Sequence, residues 1–97
     1  MGASKTAHYS IQLLKKAKIA SALGHPARLT IIEVVRKNGK VRPKDLESIL
    51  RLSKHAVHNH IQQLVQVGIV ELEFIPNEYR LHLNHQYDFE LDQIFVN

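Results

Sequence analysis

The 97-residue sequence predicts a mainly α-helical domain with one small β-hairpin, in the order helix-helix-helix-helix-hairpin-helix. Three observations predict it. Apolar residues recur at helical spacing, one step of about 100° per residue, through residues 4–66. After Gly68 the period changes to two and holds to Leu83, broken only at Pro76-Asn77-Glu78. Residues that start and stop helices stand at each boundary: His25-Pro26, Asn38-Gly39, Pro43, Ser53 and Gly68.

The bulk properties set limits on what this domain does. A chain of this length reads as one domain, 1–97, with a modest core that a partner chain would help to complete. It has no apolar run approaching the roughly 18 residues of a membrane span, and no secretory apolar core follows MGASKTAHYS. The expected location is cytoplasmic, with no membrane partner. The absence of cysteine excludes disulfides and thiolate metal sites. The net charge of +4 is unevenly spread: residues 1–54 hold twelve Lys/Arg and three acids, residues 55–97 hold Arg80 and six acids. A basic first half suits a polyanion, and the acidic second half confines that contact to part of the surface.

Residues 4–23 read as the first helix, closed by Gly24. Ile11, Leu14 and Lys18 share one stripe, and Leu13, Ala17, Ala20 and Leu23 share the next. Two apolar stripes suggest two packing partners, the core and a second subunit; the alternative is one broad core face. Lys15, Lys16 and Lys18 are solvated on this reading. His25-Pro26 opens the second helix, because proline at the first helical position lacks an N–H that would have no partner there. Leu29, Ile32 and Val35 form its buried face, flanked by Ile31 and Val34. Val41 then makes a brief extended pairing. Pro43 starts a short third helix with Leu46, Ile49 and Leu50 inward. The link Arg51-Leu52-Ser53 leads into the fourth helix, and two short helices joined this closely form a helix-turn-helix.

The fourth helix, within Ser53 to Gly68, is the stretch around which the reading turns. Ser53 can cap it, and Gly68 can close it in the left-handed conformation. Val57, Ile61, Leu64 and Val65 share one face; His55, His58, Asn59, Gln62 and Gln66 share the other. That outer face is rich in hydrogen-bonding groups and nearly without charge, where an ordinary solvated helix carries Glu/Lys pairs. Asn, Gln and His side chains can address base edges in a DNA major groove. We therefore read it as a recognition helix, with Lys54, His55, His58, Asn59 and Gln62 facing bases. Arg42, Lys44, Arg51, Ser53 and Arg80 are the phosphate candidates; the bland alternative for the cations is solubilising surface charge. Val70, Leu72 and Phe74 alternate with Glu71, Glu73 and Ile75, and Tyr79, Leu81 and Leu83 alternate with Arg80, His82 and Asn84. This hairpin is a wing with one wet face, turned at Pro76-Asn77-Glu78. Its three glutamates work against phosphate contact. Residues 88–96 form a closing helix with Leu91, Ile94 and Phe95 apolar.

The order of elements is that of a winged helix-turn-helix, and residues 19–84 resemble the ArsR-type family of bacterial winged-helix transcription regulators. The likeness rests on ALGHPARLTII (Ala22 to Ile32), on Asp45-Leu46, and on LSKHAVHNHIQQLVQVGIV (Leu52 to Val70), in which His60 matches the family histidine. The resemblance implies a homodimer formed by the first and last helices, which makes Ile11, Leu14, Leu91, Ile94 and Phe95 the dimerisation candidates. It also implies a repressor on a palindromic operator, released by a metal or another signal; no such inducer can be named from this chain. The metal-sensing members carry Cys-x-Cys where this chain has Arg42 and Lys44, which hold no metal. The family glycine of the helix-turn-helix is Arg51 here, placed where a left-handed backbone is expected. The family serine of the recognition helix is His58, followed by Asn59, so base preference does not transfer.

Seven histidines raise the question of metal. His82 and His85 stand where some relatives bind zinc across the dimer, with Asp88 and Glu90 beyond. Residues i and i+3 of a strand point to opposite faces, and the Asp-x-His and His-x-x-His pattern of those relatives is missing, so we expect no metal and no cofactor. No nucleophile, base and orienting group can be placed together and no Gly-rich phosphate loop is present, so an enzyme is not expected. The sequence therefore predicts a dimeric, sequence-specific regulator of double-stranded DNA. The alternative is a winged-helix protein–protein module without specific DNA binding.

Overall fold

A computed structural model describes residues 8–95. Five α-helices and a three-stranded antiparallel sheet follow in the order α1 (Ile11–Leu23), α2 (Pro26–Asn38), β1 (Lys40–Val41), α3 (Pro43–Leu50), α4 (Lys54–Gln66), β2 (Val70–Ile75), β3 (Glu78–Leu83) and α5 (Asp88–Ile94). A 3₁₀ turn, His85–Tyr87, leads into α5. The strands lie in the order β1-β3-β2. This is the winged helix-turn-helix expected from the sequence, including the short pairing of Val41, which lies opposite Leu81.

The core is a single apolar cluster. Ile31, Ile32 and Val35 of α2, Leu46 of α3, and Val57, Ile61 and Leu64 of α4 meet Ile69, Val70, Leu81 and Leu83 of the hairpin base and Leu91 of α5. Each large aliphatic side chain withdrawn from water in this way contributes about 1.5–3 kcal/mol. No side-chain nitrogen or oxygen is buried without a hydrogen-bond partner among the described residues. Three of the helix starts are capped by side chains. Ser10 Oγ accepts from Leu13 N–H, His25 Nδ1 from Ala27 N–H, and Ser53 Oγ from Ala56 N–H.

Several expectations are corrected. The first helix begins at Ile11, because Ser10 caps it with extended backbone; the part expected over residues 4–7 lies outside the described residues. Of its two expected stripes, Leu14 and Leu23 are half-buried and the other residues exposed, so neither stripe forms a full core face. Ala22 is the buried residue of α1, with Ile19 and Leu23 packed partly against the core, while Ile11 is 72% exposed. In α2 the buried residues are Ile31, Ile32 and Val35, and Leu29 is half-buried. Ile49 of α3, expected inward, is exposed: the eight-residue helix buries only Leu46. Leu91, expected at a dimer surface, is 1% exposed and belongs to this chain's own core. The first turn of α5 folds Leu91 inward while Phe89 and Ile94 remain outside.

The hairpin has the expected two faces. Val70, Leu81 and Leu83 of its inner face are buried, but Leu72, Phe74 and Tyr79 are exposed because the strands run past the body of the domain. Phe74 and Tyr79 pair across the strands with ring centroids 5.0 Å apart. On the outer face, Lys40 Nζ donates to Glu73 at 2.8 Å, and this bond holds the Glu73 carboxyl below its ordinary value. The hairpin base is locked by Asn84, whose Nδ2 donates to Gly68 O at 3.0 Å and whose N–H donates to Ile69 O. Asn77 takes a left-handed φ of 68° at the tip.

Arg51 carries the one non-glycine backbone strain inside the helix-turn-helix, at φ 56° and ψ 43°. A side chain in this region costs about 1–2 kcal/mol, partly offset in a glycine by its greater unfolded-state freedom. Arg51→Gly should raise the unfolding free energy by about 0.5–1 kcal/mol in urea denaturation; a loss of stability would show that the arginine side chain holds the turn.

Candidate nucleic-acid interface

The helix-turn-helix is formed by α3 and α4. The left-handed residue Arg51 ends α3, its N–H donating to Glu47 O, and two residues later Ser53 caps α4. Val57, Ile61 and Leu64 anchor α4 in the core. With that stripe fixed, Lys54, His55, His58 and Asn59 are exposed and Gln62 is half-buried. The five residues read from the sequence as base-facing therefore lie on one uncovered side of one helix. A groove of about 850 Å³ runs between α3, α4 and the wing; Lys54, His58 and Gln62 line it from α4, Arg42 and Lys44 from the start of α3, and Asn77 and Tyr79 from the wing. His55 and Asn59 lie outside this groove.

The phosphate candidates divide into two groups. Lys44, Arg51 and Ser53 are exposed around the helix-turn-helix. Arg42 instead forms a double hydrogen bond with Asp45, at 3.1 and 2.9 Å. The Arg42 guanidinium holds the Asp45 carboxyl below its ordinary value through that bond. Arg80 is tied to Glu78 at 2.9 Å. Both pairs are solvent-accessible, so a phosphate can compete for these cations. Sequence reasoning missed Asn77 and Tyr79 as groove residues. Strand alternation places Tyr79 beside Leu81, but it does not say where the domain body ends.

Behind α4, Arg28 joins three helices. Its Nε–H donates to His60 Nδ1 at 3.3 Å, and its Nη1 donates to Ser21 O at 3.3 Å and Ala22 O at 3.1 Å at the end of α1. The His25 ring stands 4.5 Å from the His60 ring. His60 is thus a packed, hydrogen-bonded residue of the helix's inner side. Burial foremost, then the charges of His25 and Arg28, hold its pKa below the ordinary 6.5.

The histidines raised as metal candidates do not converge. His82 Nδ1 lies 3.3 Å from Leu83 O and 3.8 Å from a Glu71 carboxylate oxygen. His85 Nδ1 lies 3.1 Å from Asp88. Among the described residues no group of three or more His, Asp or Glu could hold a metal ion. None of the described helices is long and apolar enough to cross a membrane. Of the surviving dimerisation candidates, Ile11 and Ile94 are exposed and Leu14 is half-buried; Phe95 is half-buried, its ring 5.3 Å from the Arg36 guanidinium.

A model of the MarR family matches residues 25–79, from the capping histidine of α2 into the start of β3. Solved structures share the fold. The homodimeric winged helix-turn-helix DNA-binding domain of Mb0332 from Mycobacterium bovis, a possible ArsR-family transcriptional regulator, aligns with 88% of this chain and 79% of its own, at 16% identity and a TM-score of 0.80. HlyU from Vibrio cholerae aligns with 92% of this chain and 100% of its own, at 18% identity and a TM-score of 0.75. The transcriptional repressor PagR of Bacillus anthracis aligns with 87% and 92%, at 19% identity and a TM-score of 0.73. No curated protein matches in sequence. Of these structures Mb0332 is described as a possible ArsR-family regulator, while the family model that matches this chain is described as MarR.

The depressed His60 pKa has a consequence for stability. The unfolded chain takes up this proton more readily than the folded one, so stability rises with pH in that interval. The contribution is fully present above the ordinary value near 6.5 and is lost as pH falls through the lower folded value. Urea denaturation at pH 7.5 and 5.5 should show a larger loss for the wild type than for His60→Gln. Equal losses would mean that His60 titrates freely in the folded chain.

Proposed function

Because this chain belongs to the MarR family of winged helix-turn-helix transcription regulators, we propose that it is a sequence-specific DNA-binding regulator that represses as a homodimer on a palindromic operator. The observation that carries the reading is the uncovered face of α4, where Lys54, His55, His58, Asn59 and Gln62 stand together above a fully buried apolar stripe. Asn and Gln side chains can pair bidentately with adenine, and lysine can donate to guanine. Lys44 and Arg51 flank that face and would set its register through phosphates. The wing would contribute little positive charge, because Arg80 is already held by Glu78.

Dimerisation is supported by apolar side chains that the chain leaves uncovered near its two ends. Ile11 of α1 and Phe89 of α5 are each 72% exposed, and Leu13 and Ile94 are also exposed. Two-fold symmetry in the protein would match a palindrome, with half-sites about one helical turn apart or a multiple of it. Homodimer formation and repression are described for Mb0332 and PagR respectively, and both are proposals for this chain. The reading places the protein in the cytoplasm and assigns it no enzymatic role.

A second reading, a protein-interaction module, draws on the exposed Leu72, Phe74 and Tyr79 of the wing. Salt separates the two. Fluorescence anisotropy with DNA from upstream of the protein's own gene should give log affinity falling with log salt at a slope of about −0.9 per phosphate neutralised. Random duplex should compete poorly. Weak, equal binding to every duplex would favour the second reading. Within the first, Asn59→Ala should relax sequence preference by about 1–3 kcal/mol at its base position, while Lys44→Ala should weaken all duplexes alike. An Asn59→Ala protein with unchanged affinity and preference would show that this face is not the reader.

A further inference from the structure

His60 lies on α4 next to Asn59, but its ring turns inward to Arg28. The Arg28 Nε–H requires a lone pair on His60 Nδ1, so the ring proton belongs on Nε2. The other end of the same guanidinium is held by the carbonyls of Ser21 and Ala22 in α1. This side chain therefore adds a polar link between the end of α1, which also packs directly against α4, and the helix that carries the reading face.

We propose that Arg28 is a positioning residue that fixes α4 against α1 through His60 Nδ1, and that a proton on this nitrogen releases the joint and with it sequence discrimination. The inference rests on the DNA-reading function proposed above and adds a means of regulating it. A proton on Nδ1 removes the acceptor and sets an imidazolium against a guanidinium. The charged and titratable groups acting on His60 are His25 and Arg28, both from the start of α2. From α1, Lys18 lies with Ser21 along a cavity facing Gln63 and Gln66. On α4 itself, Lys54, His55 and His58 are exposed. No carboxylate acts on the ring to favour the charged form. Arg28 can keep its bonds to the α1 carbonyls, so the contact that opens is the one to α4.

The effect on DNA is selective. Hydrogen bonds to base edges weaken steeply when their angles change, and Asn59 moves with His60 on the same helix. Lys44 and Arg51 lie on α3 and the turn, so phosphate attraction persists. The ratio of specific to random binding should therefore fall with pH while random binding does not. The control must remove the titration of His60 alone. In His60→Gln the amide oxygen can accept the Arg28 N–H and takes up no proton.

The experiment measures that ratio from pH 7.5 to 5.5 for the full-length wild type and His60→Gln, alongside NMR of the His60 ring nitrogens and the Arg28 Nε–H. The wild-type ratio should fall about fivefold or more, and the variant's should fall clearly less while matching the wild type at pH 7.5. The Arg28 Nε–H, protected from exchange at pH 7.5, should lose protection in step with His60 protonation, with or without DNA. Identical pH profiles for the two proteins, or an Arg28 signal that ignores the His60 titration, would overturn the proposal. If the Arg28 signal follows His60 but no duplex is bound specifically at any pH, the joint stands and the DNA reading falls.

Discussion

The structure depends on one constraint: α4 must bury Val57, Ile61 and Leu64 completely while leaving its opposite side uncovered. Nearly every other element serves that burial. Ile31, Ile32 and Val35 of α2 form the bed beneath the helix, Leu46 reaches in from α3, and the hairpin base closes the cluster with Ile69, Val70, Leu81 and Leu83. Three aliphatic side chains on one stripe, at about 1.5–3 kcal/mol each, outweigh the weak helix preference of the His and Asn residues opposite them. The polar face therefore need not contribute to folding and can be composed for recognition.

Polar contacts at the ends of elements set where each one stops. Ser53 and His25 cap their helices, Arg51 turns the chain in the left-handed region, and Asn84 ties the base of the hairpin to Gly68 and Ile69. Tyr87 adds a bond from its hydroxyl to Val67 O at 3.3 Å, joining the approach to α5 to the end of α4. Helix α1 is lightly anchored: Ala22 is its one fully buried residue, and Arg28 adds polar links from its end to α2 and α4. In the proposed homodimer this lightly buried helix would face the second copy.

Much of this was legible because its causes are local. Helix α4 follows from the spacing of Val57, Ile61 and Leu64 between Ser53 and Gly68, and the wing follows from a period of two around Pro76-Asn77. The left-handed turn at Arg51 followed from the family resemblance. The illegible parts depend on distance. Arg28 and His60 are 32 residues apart, and nothing in either segment says that their side chains meet. Leu91 looks like any apolar residue of an amphipathic helix, and only the way the 3₁₀ turn aims α5 makes it core rather than surface. Leu72, Phe74 and Tyr79 alternate correctly, but their exposure depends on how far the hairpin outreaches the body. The Arg42–Asp45 pair, three residues apart, was within reach of sequence reasoning and changes how available Arg42 is to a phosphate.

The outer face of α4 is proposed to read DNA. The most direct test is amide NMR of the labelled protein titrated with a duplex that the protein itself selects from a random pool, with a scrambled duplex as reference. Shifts specific to the selected duplex should centre on Lys54, His55, His58, Asn59 and Gln62, while Lys44 and Arg51 respond to both duplexes. Specific shifts centred instead on Leu72, Phe74 and Tyr79 of the wing, with α4 unmoved, would contradict it.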